Sequence, residues 1–77
     1  MALITDAATG WSSAVTLTTD EIWQARQGSV YLTTTVSPVA DDGLALHEFH
    51  AVHLSAGSVV LYRKEGAGDA VIVREAI

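Results

Sequence analysis

His47, His50 and His53 recur at intervals of three, with Glu48 among them. Imidazole nitrogens and a carboxylate are good ligands for Zn²⁺ or Fe²⁺, and on a helix this spacing sets the three rings on one face. On a strand His47 and His53 share a face while His50 opposes them. An intrachain three-histidine centre then requires a bulge or a turn. The segment lies between strand signals and is too short for a stable helix. It reads as a polar loop and strand edge with half-exposed, pH-sensitive imidazoles, and no metal or other cofactor is required. Ligation by one histidine per subunit about a symmetry axis is the other arrangement in which His47, His50 or His53 holds metal.

The remaining reactive side chains fall into ordinary patterns. Asp41-Asp42-Gly43 resembles a fragment of a Ca²⁺ loop, yet it lacks further acids at alternating positions and the closing bidentate Glu, so turn chemistry accounts for it. Ser12, Ser13, Ser29 and Ser58 carry hydroxyls, and none stands in a nucleophile-elbow context. Trp11, Trp23, Tyr31 and Tyr62 offer ring faces that suit the CH groups of a sugar; they equally suit a core or an interface.

The elements that must position these residues are short and β-rich. Val15 and Leu17 alternate with Thr16 and Thr18, which predicts a half-buried strand. In residues 21–27 Ile22, Ala25 and Arg26 suit one helical turn and Trp23 and Ala25 a strand; a strand or bulged extension is preferred because Gly28 closes the segment too soon for a helix. Residues 29–36 read as the strongest strand, with Val30, Leu32, Thr34 and Val36 on one face. Pro38 ends it, and Gly43 supplies the positive φ of a tight turn. Strands are expected again at 44–46, 51–54, 59–64 and 70–75, with Gly66-Ala67-Gly68-Asp69 closing the last two into a hairpin. Val30, Leu32, Leu54 and Val60 or Leu61 are the expected core. Six to seven short strands in a single domain over residues 14–77 predict an all-β fold, a small antiparallel sandwich or barrel. Residues 1–13 hold Leu3, Ile4 and Trp11 without a clean period. They read as an extended N-terminal arm that lies across its own sheet or a neighbour's.

Composition bounds the function. A 77-residue domain has a thin stability margin, and with no cysteine it has neither disulfides nor thiolate metal sites. Hydrophobic residues make up 49% of the chain, high for so small an interior, which points to surface buried against another chain. Leu3, Ile4, Trp11 and Trp23 are the interface candidates. A net charge of −5 disfavours nucleic acid as a partner. No apolar run approaches the ~20 residues that cross a bilayer, and no secretory signal opens the chain; synthesis in the bacterial cytoplasm without membrane insertion is expected.

The runs Glu21-Ile22-Trp23-Gln24-Ala25-Arg26-Gln27-Gly28, Asp41-Asp42-Gly43, Ala51-Val52-His53-Leu54-Ser55-Ala56-Gly57 and Val60-Leu61-Tyr62-Arg63-Lys64 resemble the small β-sandwich structural proteins of tailed-phage morphogenesis clusters. The likeness is greatest to those of alphaproteobacterial gene transfer agents and related siphophages, head-spike components included. Cupins share the Ala-Gly corner, but the chain lacks their His-x-His pair and downstream glutamate. The resemblance implies a non-enzymatic virion structural protein, a head-spike or fibre component, with itself and other virion proteins as partners. A carbohydrate- or receptor-binding module on such a particle is the alternative, and a small metal-dependent enzyme built on the histidines is the second.

Overall fold

The computed structural model describes residues 2–35, 37–39 and 42–77. Val36 and Asp41, which belong to the expected strand over 29–36 and the expected Asp41-Asp42-Gly43 turn, lie outside the described residues, as do Met1 and Ala40. Eight strands form among the described residues: β1 (Ala2–Ile4), β2 (Val15–Thr16), β3 (Glu21–Gln27), β4 (Val30–Thr33), β5 (Leu44–Leu46), β6 (Ala51–Leu54), β7 (Val59–Lys64) and β8 (Val71–Ala76). They make two antiparallel four-stranded sheets, the first in the order β1-β8-β3-β6 and the second in the order β2-β7-β4-β5. The all-β sandwich is therefore as expected. The strand beyond the expected six or seven is β1.

Alternation explains which side chains fill the space between the sheets. Trp23 and Ala25 of β3, Val30 and Leu32 of β4, Val60 and Tyr62 of β7 and Ile72 of β8 all point inward and are buried, with Leu17, Leu46 and Ala70 closing the core. Leu54 packs against this core and is partly buried. Leu61 faces the other way, half-exposed, so Val60 is the core member of that pair. β4 stops at Thr33, whose hydroxyl accepts the Thr35 N–H at 3.0 Å, a local bond that takes the place of the ladder.

Only the step from β4 to β5 stays within a sheet; every other connection carries the chain across to the opposite layer. The hairpin expected across Gly66-Ala67-Gly68-Asp69 does not form, because β7 pairs with β2 and β4 while β8 pairs with β1 and β3. Glycines encode a reversal, and the reversal here is between layers. Gly28, at φ +70, turns the chain from β3 into β4 directly against this crossover, where a Cβ would stand 2.7 Å from the Asp69 carbonyl oxygen. No larger residue fits without moving backbone. Gly43 has the expected positive φ, +98, and a Cβ there would collide with the Leu32 carbonyl.

The N-terminal segment lies across its own chain. β1 pairs with β8, setting Leu3 opposite Val73 and Ile4 opposite Ile72. The chain then passes to the second sheet, where Lys64 N–H donates to the Ala8 carbonyl at 2.8 Å and Ser12 N–H to the Tyr62 carbonyl at 2.9 Å. β2 completes the passage by pairing with β7. One side of the sandwich is thus closed by this strap. The other side is bordered by the edge strands β5 and β6.

Candidate functional site

The histidines divide between two places. Residues 47–50 cross from β5 to β6 as a tight corner: His50 N–H donates to the His47 carbonyl (2.9 Å), Ala25 N–H to the His50 carbonyl (3.0 Å), and Phe49 N–H to the Ala25 carbonyl. Gln24 Nε2 donates to the Phe49 carbonyl (3.1 Å) and Gly28 N–H to Glu48 Oε2 (3.1 Å). The His47 and His50 rings meet edge-on with centroids 5.6 Å apart. His53 stands on β6, its Nε2 3.6 Å from Asp20 Oδ2. Among the described residues no three His, Cys, Asp or Glu side chains are grouped to hold a metal ion. Glu48 is turned onto Gly28.

Sequence reasoning missed one juxtaposition at this corner, Ser29 Oγ and His47 Nδ1 at 3.3 Å. Their separation in sequence hid it. A hydroxyl nucleophile needs a base within about 2.6–3.2 Å, itself oriented by a third group; the Ser29–His47 separation is longer than that, and the ring packed on His47 among the described residues is the tilted His50 imidazole. The other chemistry-bearing residues serve structure. Asp42 Oδ2 accepts the Val39 N–H at 2.9 Å, a turn contact. Ser12 Oγ accepts the Tyr62 N–H at 3.0 Å and donates to the Ser13 carbonyl. Ser58 N–H closes a turn on the Ser55 carbonyl.

The four aromatics separate into an inner and an outer pair. Inside, the Trp23 and Tyr62 rings are 6.3 Å apart and tilted. Trp23 Nε1 donates to Glu21 Oε1 (2.9 Å), and Arg74 grips the same carboxylate through Nε (2.9 Å) and a terminal nitrogen (3.0 Å). The Arg74 hydrogen bond holds the Glu21 carboxyl below its ordinary value, outweighing the opposing effect of burial; Glu21 in turn raises Arg74. Tyr62 Oη donates to Asp6 Oδ1 at 2.7 Å. Burial, then that hydrogen bond, pushes the phenol up to about 12.

Outside, on the second sheet, the Arg63 guanidinium carbon lies 4.1 Å from the Tyr31 ring centre and 5.2 Å from that of Trp11. Trp11 Nε1 donates to the Val39 carbonyl at 2.9 Å. The result is a fixed ladder of two half-exposed rings with a cation between them.

The first sheet presents a different outer surface. Leu3, Val73, Gln24 and Ala51 form one cross-strand row, and Glu75, Ile22 and His53 the next. Leu3 is 57% exposed, Ile22 44% and Ile77, which wraps the end of the sheet, 71%. Of the interface candidates, Leu3 lies on this face, Ile4 packs against the core, and Trp11 belongs to the opposite face. Trp23 is 0% exposed. It is enclosed by its own chain, and its burial corrects the interface expectation: the alternation that put it on a strand did not say which face was the core. Protein-family models, curated proteins and solved structures were compared with the chain, and none matched it.

Proposed function

We infer that the chain is a non-enzymatic structural protein of a phage-like particle, a component of a head spike or fibre base that assembles as a symmetric oligomer with itself and its neighbours. The supporting observation is the outer face of the first sheet, where Leu3, Ile22 and Ile77 are exposed around the nearly covered Val73. At their present exposure, removing these three side chains from water contributes about 3–5 kcal/mol. Association costs roughly 4–15 kcal/mol. The face alone therefore supports only weak pairing, and stable assembly needs repetition around a symmetry axis or a second contact.

The test is a Leu3→Glu/Ile22→Glu double variant examined by light scattering and by incorporation into particles. Both residues are exposed, so the fold is expected to survive while the oligomer dissociates and the variant is lost from purified particles. A wild-type chain that stays monomeric at high concentration and is missing from particles overturns this reading. The Trp11, Arg63 and Tyr31 ladder favours a second one, attachment of the same particle to a surface glycan, since ring faces held rigid bind sugar CH groups at low entropic cost. Trp11→Ala should then remove glycan-array signal from the assembled protein while leaving its oligomeric state unchanged.

A further inference from the structure

Phe49 combines three properties that rarely coincide. It is an aromatic residue 62% exposed to solvent, it holds a left-handed backbone with φ 71, and it is fastened at the apex of its corner by the bonds from Gln24, Ala25 and His50 described above. A bulky residue in this region is strained, and such strain persists where the surrounding structure enforces it, which concentrates at working surfaces. The ring adds nothing to the core, whose members and margin do not include it.

The same molecule contains an apolar notch of about 190 Å³ between the edges of the two sheets, floored by Leu32, Val52, Leu54 and Val60 with Leu44 at its mouth. An apolar cavity of about 150 Å³ accommodates benzene, so the volume suits one phenyl ring. The notch takes Leu44 from the start of β5 and Leu54 from the end of β6. The corner carrying Phe49 joins the end of β5 to the start of β6, so knob and notch lie toward opposite ends of the same open side. Beside the knob Glu48 is engaged on Gly28, and Thr35 and Gly43 border the notch.

The geometry points to a head-to-tail contact in which Phe49 of one copy seats in the notch of a second copy of this chain. Knob and notch are different patches, so the contact is heterologous; repeated, it closes into a ring or runs on as a filament. It rests on the self-assembly proposed above and supplies the second contact that the outer sheet face lacks.

The experiment exploits the absence of cysteine. His50→Cys is prepared in one batch and Thr35→Cys in another, both at exposed positions, and each is treated with a short bismaleimide alone and after mixing. Covalent dimers are expected in the mixture and not in either batch alone; dimers in the His50→Cys batch alone mean an isologous contact and overturn the proposal. In parallel, Phe49→Gly relieves the left-handed strain. It is expected to melt no lower than the wild type while its association weakens by about tenfold or more. Leu44→Glu, at the mouth of the notch, is expected to weaken association similarly. Wild-type affinity in both variants overturns the knob and notch, and if the oligomer still dissociates in Leu3→Glu/Ile22→Glu the self-assembly reading survives without them. A wild type that is monomeric throughout overturns both.

Discussion

At the scale of single residues, the most consequential is Glu21, a carboxylate enclosed by its own chain yet satisfied on both oxygens. Removing its charge leaves Arg74 and the Trp23 indole with a weaker acceptor, and hydrogen bonds to charged groups contribute about 1.5–3 kcal/mol. Glu21→Gln should lower stability by about that amount at pH 7, as measured by urea unfolding. The pH dependence has a definite sign. The folded carboxyl is held below its ordinary 4.5, so its contribution is present above pH 4.5 and fades as pH falls from there through the lower folded value. The variant should therefore lose stability less steeply than the wild type across that acid range. Tyr62 acts at the other extreme: its phenol, raised from 10.0 to about 12, favours the folded state fully below pH 10 and stops doing so as pH rises toward 12. A late component in the ultraviolet titration should vanish in Tyr62→Phe. Neither role was legible beforehand. Acids are seldom buried, so nothing in the reading of 21–27 as a strand marks Glu21 as enclosed, and its partner Arg74 is 53 positions away.

The elements were more legible than their pairing. Residues 15–18 announce a strand through alternation, 21–27 because Gly28 closes the run too soon for a helix, and 59–64 as an apolar run between glycine breaks, and each has one in the sandwich. Which sheet a strand joins is another matter, since alternation records an inside and an outside but not a neighbour. The Gly66-Ala67-Gly68-Asp69 crossover shows this plainly, and so does the corner at 47–50, where a histidine spacing suggestive of a shared face is split by the change of layer. The N-terminal segment lacks a period because it serves both sheets in turn, contributing Ile4 and Ala7 to the core margin and Asp6 to Tyr62. Deletion of residues 2–12 should accordingly do more than weaken assembly. It uncovers β8 and β7 together, and loss of the cooperative thermal transition with much of the β circular dichroism is expected. Retention of a sharp transition would mean the strap is dispensable to the fold.

For the whole molecule, the decisive comparison is between the stability a 77-residue chain supplies alone and that added by contact with a second copy. The core rests on a few large side chains, and folding margins for such domains are small, while Leu3, Ile22, Phe49 and Ile77 remain in water. If assembly hides these groups, folding and association are linked by mass action. Each tenfold rise in free partner above the dissociation constant then adds about 1.4 kcal/mol to the folded state. For a domain of this size 1 kcal/mol corresponds to about 4–8 °C in melting temperature. In a self-associating dimer a tenfold rise in total concentration supplies about half of that per chain, so the wild type should melt about 3–5 °C higher for each tenfold increase once association has begun, and more in a larger ring, whereas Leu3→Glu/Ile22→Glu should melt at one temperature throughout. Differential scanning fluorimetry across three decades of concentration measures both. A wild-type melting temperature independent of concentration, with light scattering showing a monomer at every point, would place all the stability within the single chain and leave the exposed apolar groups without a role in self-association.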